Sequence, residues 1–188
     1  MKRVIKAATS TGNIYYWDGV DTVPKDVVNV VIEDGVTNIG WSAFSGCTEL
    51  TSVIIPDSVT IIEDWAFYDC TGLKSIDIPD SVTSIRDNAF FGCTNLTSII
   101  IPDSVKWIGT WAFCGCKRLT SVTIGNNVIG IGYNAFFNCP SLKNVTILSD
   151  PGDFERIKDS IDWNDLNIKN IKAAPEIKQQ IARLQRLR

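Results

Sequence analysis

The pair Ala-Phe returns every 23 residues, at Ala43-Phe44, Ala66-Phe67, Ala89-Phe90, Ala112-Phe113 and Ala135-Phe136. Cysteine keeps the same step at Cys47, Cys70, Cys93, Cys116 and Cys139, and leucine at Leu50, Leu73, Leu96, Leu119 and Leu142. A unit of this size has room for one strand, one turn and one short return, but not for a core of its own. The copies must therefore bury their apolar sides against one another, which makes the chain a stack of coils.

Within a unit, Leu50, Val53 and Ile55 give the pattern L-x-x-V-x-I, a short strand with alternating apolar positions, rich in the Thr, Ser, Val and Ile that strands prefer. Pro56-Asp57 removes a backbone donor and turns the chain. Val59 and Ile62 re-enter the interior, and Phe67 with Cys70, spaced i, i+3, predicts one helical turn. Stacking places like residues about 4.8 Å apart, the spacing of neighbouring strands. The expectation is an α/β repeat solenoid, a right-handed coil with a parallel sheet on one face and short helical or 3₁₀ turns on the other.

The pattern L-x-S-V-x-I-P-D-S-V-T-x-I-x-x-x-A-F-x-x-C-T resembles the BspA-like leucine-rich repeat, also known from treponemal surface proteins. The likeness covers residues 27–148. The opening coil, Val27 to Ile39, has Glu33 where later coils carry proline, and the last replaces Pro-Asp-Ser with Gly125-Asn126-Asn127. Ser58, Ser81 and Ser104 stand at the position where ordinary leucine-rich repeats carry an Asn or Cys ladder. Residues 1–26, with Ile14, Tyr15, Tyr16 and Trp17, are expected to cap one end. Residues 149–174, with Phe154, Ile157, Trp163 and Leu166, resemble the short helical terminus that closes such arrays. The resemblance implies protein recognition or bacterial surface adhesion, and no catalysis.

Composition narrows the chemistry independently. The net charge of −3 lacks the basic face that nucleic-acid binding usually needs. Histidine is absent, which removes the commonest general base and metal ligand. No P-loop, G-x-G-x-x-G or G-x-S-x-G occurs. Asp57, Asp80 and Asp103 repeat at one position, but one carboxylate per level falls short of calcium's six to eight oxygens, so they are read as turn residues. Five cysteines, one per coil, have parallel directions that suit a disulfide poorly and lack the paired spacing of zinc sites. They are expected to be buried and reduced. Cys114, aligned with Tyr68, Phe91 and Phe137, is expected to face at least half outward as a free thiol. No catalytic site, metal or cofactor is assigned. The start MKRVIKAATSTGNIYYW has no apolar run of signal-peptide length, and no window approaches a membrane span, so the chain as written reads as cytoplasmic or as exported by a route these residues do not reveal.

Function must then lie in the positions that refuse to repeat. On the strand face the outward column Ile54, Asp77, Ile100, Thr123 changes from coil to coil beside a uniform column of serines. Opposite it, Trp41, Trp65, Trp107 and Trp111, with Tyr68, Phe91, Tyr133 and Phe137, are expected to form an aromatic strip on the convex face, either as a binding surface or as shielding for the core edge.

The segment 175–188 reads as a separate helix: Pro175 and Glu176 suit its first turn, and Ile177, Ile181, Leu184 and Leu187 share one face. Its four cations against one carboxylate give +3, leaving about −6 on the rest of the chain. It is expected to dock on the solenoid, to pair with a second copy, or to meet a partner or membrane surface. Two functions remain open: a non-catalytic recognition or adhesion module, and a structural or assembly protein, phage-borne or a scaffold, that oligomerises through this helix.

Overall fold

A computed structural model describes residues 14–149, 152, 154 and 170–186. The chain winds into a parallel β-solenoid of about five 23-residue turns, and each regular coil has three sides. The first side carries β1 (Ile14–Trp17), β2 (Asn29–Ile32), β4 (Ser52–Ile54), β7 (Ser98–Ile101), β9 (Ser121–Ile124), β11 (Asn144–Ile147) and β12 (Asn170–Lys172). The second carries β3 (Asn38–Ile39), β5 (Ile61–Ile62), β6 (Ser84–Ile85), β8 (Trp107–Ile108) and β10 (Gly130–Ile131). The third is made of turns.

Every strand pairs parallel to its neighbour, and within the repeats the register is 23 residues, as in Ser98↔Ser121 and Ile62↔Ile85. That register puts like side chains over like. The second sheet runs unbroken through five strands, whereas the first divides into β1-β2-β4 and β12-β11-β9-β7. The break is the coil Ser75-Ile76-Asp77-Ile78, which forms no ladder. Aspartate is a poor strand former, and here it stands between Ile54 and Ile100. At the ends, β1 adds to β2 (Ile14↔Asn29) and β12 adds to β11 (Asn144↔Asn170), so the first side continues past the last regular repeat with steps of 15 and 26 residues.

The third side differs from the sequence expectation, because residues 14–149 contain no helix. Each turn alternates two kinds of bond. Ala43, Ser45 and Cys47 N–H donate back three residues to Gly40, Ser42 and Phe44, while Ser42, Phe44 and Gly46 N–H donate forward to Asp64, Ala66 and Tyr68 of the next coil. The backbone reaches both sets by entering the left-handed region twice per coil. One position is Ser42, Trp65, Asn88, Trp111, Asn134, and the other Gly46, Asp69, Gly92, Gly115, Asn138. A continuing helix would consume its own carbonyls and leave the coils unjoined. The α/β expectation thus gives way to an all-parallel β-solenoid with a turn face, and the helix α1 (Pro175–Arg186) follows the last strand.

The core is a set of columns. Phe44, Phe67, Phe90 and Phe113 are fully buried, with adjacent rings 5.1 Å apart and within 7° of parallel, and Phe136 continues the stack at 5.3 Å. Near-parallel rings at that separation must be slipped past each other, the arrangement aromatic quadrupoles favour. Trp17 ends the column edge-on to Phe44 at 5.0 Å, its indole N–H donating to the Asp21 carbonyl at 2.8 Å. Full burial of each phenyl contributes about 1.5–3 kcal/mol.

Polar ladders lock the coils in register. Ser58, Ser81 and Ser104 hydroxyls donate to the carbonyls of Val36, Val59 and Val82 in the preceding coil at 2.6–2.8 Å. Serine thereby does the cross-coil bonding at the ladder position. The expected cap residues Ile157, Trp163 and Leu166 lie outside the described residues, while Phe154 is buried.

Candidate functional site

Cysteine is the most nucleophilic residue type in this histidine-free chain. All six are free thiols. In the repeats the sulfur of one coil points at the phenylalanine carbonyl of the coil before: Cys70 Sγ donates to Phe44 at 3.1 Å, Cys93 to Phe67 at 3.2 Å, Cys116 to Phe90 at 3.4 Å and Cys139 to Phe113 at 3.2 Å. The thiol is small and apolar enough to be buried, and its weak donor meets a backbone acceptor. Burial pushes every one of these thiols up, Cys139 to about 12.

Cys114 corrects its sequence reading. It is only 7% exposed, and burial raises its thiol as well, so it is neither outward nor primed for reaction. A thiol reagent added to the native protein at neutral pH is expected to label none of the six cysteines, and all six after denaturation. A single fast-reacting native thiol would refute this burial. Among the described residues, no group of three or more Cys, Asp or Glu could hold a metal ion.

What remains are the non-repeating surface positions. On the first sheet Ile54 and Ile100 are 63% and 66% exposed, Asp77 is exposed between them, and Thr123 is half-buried. Two apolar side chains thus stand in solvent two coils apart.

The turn face holds the larger feature. Trp65 packs on Tyr68 at 4.8 Å, Tyr68 stacks on Phe91 of the next coil at 5.0 Å and 7°, and Phe91 meets Trp111 of the coil after at 6.4 Å. Four aromatic residues from three consecutive coils form one row, with Trp41 on one side along the stack and Tyr133 and Phe137 on the other, all three exposed. Trp107 does not belong with them. It opens β8 in the second sheet, and its ring covers Gly130, where a Cβ would fall 1.9 Å from the indole. The expected strip therefore resolves into a row on the turn face and a separate tryptophan on the second sheet.

The row is built on unfavourable backbone. Trp65 and Trp111 have φ of 63° and 56°, where Ser42, Asn88 and Asn134 stand in the other coils. Asparagine visits this region readily, whereas a bulky side chain costs about 1–2 kcal/mol there. Even so, the two indoles are 38% and 42% exposed. Carboxylates border them: Asp64 Oδ1 accepts from the Asp87 N–H at 2.8 Å, and Asp87 Oδ1 from the Thr110 N–H at 2.7 Å. The turns are pinned, so the rings stand on a rigid floor.

The C-terminal helix is settled in part. Ile177 and Ile181 are buried in the same continuous core as the repeats. Half of the apolar face that would carry self-association is thus spent on the chain itself. The side chain of Leu184 and the whole of Leu187 lie outside the described residues.

Six copies of the BspA-type leucine-rich repeat region match residues 25–143 and 83–181. The chain belongs to this family. Its fold is similar to the T. pallidum leucine-rich repeat protein TpLRR, at 31% identity and a TM-score of 0.66 over 86% of this chain and 74% of that one. A Bacteroides ovatus leucine-rich repeat protein aligns at 28% identity and a TM-score of 0.68, over 85% of this chain and 42% of that one. The pneumococcal vaccine antigen PcpA shares the fold at 23% identity and a TM-score of 0.63, over 90% of this chain and 38% of that one. This BspA-type chain spans less than half the length of the latter two proteins. Comparison with curated proteins gives no match. Solenoids of this repeat family are generally non-catalytic and typically serve protein interaction or surface adhesion, and in this member no described helix is long and apolar enough to cross a membrane.

Proposed function

We propose that this chain is a non-catalytic recognition module that holds a protein partner against its turn face. The observation that carries the reading is the pair of half-exposed tryptophans kept on left-handed backbone, where the fold itself would be better served by asparagine. Strain of this kind gathers where a side chain is retained for what it does. Rigid, pre-positioned aromatic side chains are also what interfaces use as anchors. The strand-face column Ile54, Asp77, Ile100, Thr123 is a second surface, without aromatic residues but with Ile54 and Ile100 standing apolar in solvent. Trp107 stands apart from both. Assembly through the C-terminal helix is the weaker reading, because Ile177 and Ile181 of its apolar face are buried.

The test is selection of a displayed library of peptides and protein fragments on the immobilised full chain, with affinities then remeasured on variants. Trp65→Asn and Trp111→Asn are expected to weaken selected ligands by at least about 2 kcal/mol each, roughly thirtyfold in Kd. Their folding stability is expected to stay within about 1 kcal/mol of the parent, since relief of the left-handed tryptophan offsets the lost ring contact. Ile54→Arg reports on the strand face in the same way. Ligands that bind all three variants as well as the parent would remove both surfaces from consideration.

A further inference from the structure

We propose that the aromatic row takes a proline-rich peptide segment in the polyproline II conformation, flanked by lysine or arginine. This rests on the row being the binding surface and adds the chemistry of what fills it. The spacing of the row matches such a segment. Trp65 and Trp111 occupy one repeat position two coils apart, and adjacent coils set Tyr68 and Phe91 at 5.0 Å, so the indole positions recur at about twice that, 10 Å. A polyproline II helix has three residues per turn and rises about 3.1 Å per residue, so it repeats at about 9 Å. One edge of such a helix meets an indole once per turn, with Tyr68 and Phe91 as the floor between.

Hydrogen bonding matches as well. A polyproline II segment has no internal hydrogen bonds, and its carbonyls point outward in need of donors. Among the described residues, the indole N–H groups of Trp65 and Trp111 have no acceptor, unlike that of Trp17. Both partners are also stiff before they meet, which keeps the ordering cost of association low.

Charge selects the flanking residues. The turns bearing Trp65, Tyr68 and Phe91 carry Glu63, Asp64, Asp69 and Asp87 against Arg86, a net of −3. A cation next to an exposed indole gains from the ring face as well as from the carboxylates. A neutral glycan could lie on the rings but would leave that charge unused, so a basic proline-rich peptide fits better.

Tryptophan fluorescence and calorimetric titrations of the full chain decide the matter. The probes are a decaproline peptide with two lysines at each end, a glycine-serine peptide with the same lysines, and cellohexaose. The proline peptide is expected to bind saturably, at least tenfold more tightly than the glycine-serine control. The Trp65→Asn, Trp111→Asn double variant should lose at least tenfold. Asp87→Asn, which retains the Oδ1 acceptor for the Thr110 N–H, should lose severalfold. Equal binding of the two peptides, no binding of either, or binding of cellohexaose in their place overturns the assignment. In those cases the library-selected ligands separate the two failures: if they still depend on Trp65 and Trp111, the row remains the binding surface, and if they are indifferent it does not.

Discussion

Raising the pH from 9 to 11 is expected to unfold this protein far more steeply than its size suggests. Cys70, Cys93, Cys116 and Cys139 sit in the core with thiols raised well above the ordinary value of 9.0, chiefly by burial. A group whose folded pKa is raised binds its proton more tightly in the native state, so its contribution is fully present below the unfolded value. It is lost as pH climbs above 9 toward the folded value. Once the unfolded thiols ionise and the native ones do not, each thiol costs about 1.4 kcal/mol per pH unit, and four together about 5 kcal/mol per unit. Urea unfolding at steps between pH 8 and 11 measures that slope. Cys93→Ala changes the absolute stability through its lost hydrogen bond to Phe67, but it should also flatten the slope by about 1.4 kcal/mol per unit. A slope unaltered by that variant would mean the thiols ionise within the fold.

The second large effect concerns the phenyl column. Phe90→Ala removes a fully buried ring and both of its stacking contacts, to Phe67 and to Phe113. The expected cost is about 3–5 kcal/mol by denaturant unfolding. Phe136→Ala, at the last regular coil and slightly exposed, should cost less. In a solenoid each coil is held mainly by its neighbours, so the central cavity is also expected to uncouple the two halves and broaden the transition into two steps. Equal losses at Phe90 and Phe136 with a single sharp transition would argue instead for a core that shares strain along its whole length.

The legibility of the sequence follows from what the 23-residue step does and does not encode. The columns of Phe, Cys and Leu were readable because burial demands the same residue at every level, and the same holds for the strands containing Val53, Ile99 and Val122. The second sheet was not readable: pairs such as Ile61–Ile62 are too short to show alternation. The helical turn expected from Phe67 and Cys70 failed because i, i+3 spacing also fits a turn that bonds forward to the next coil. The signal that distinguishes the two was present in Asn88, Asn134 and Asn138 with Gly46, Gly92 and Gly115, residues that tolerate left-handed backbone, at two fixed positions. The misplacement of Trp107 followed from the missing sheet, and that of Cys114 from equating an aligned position with an equal exposure. Of the candidate surface, the residue set was legible, but the joining of Trp65, Tyr68, Phe91 and Trp111 into one row needed the turn geometry.

The bonds between coils have a consequence for how such a chain can change length. Because Phe67 N–H finds Ala89 and Phe90 N–H finds Ala112 in the same way, excision of residues 79–101 would rejoin Ile78 to Pro102 with every remaining donor still offered a partner. The shortened protein would keep its ends and its walls. It would, however, bring the two left-handed tryptophans onto adjoining levels and halve the interval between them. Gene-level duplication or loss of one unit therefore acts as a gauge adjustment, resetting the distance between the two indoles while the architecture passes through unchanged.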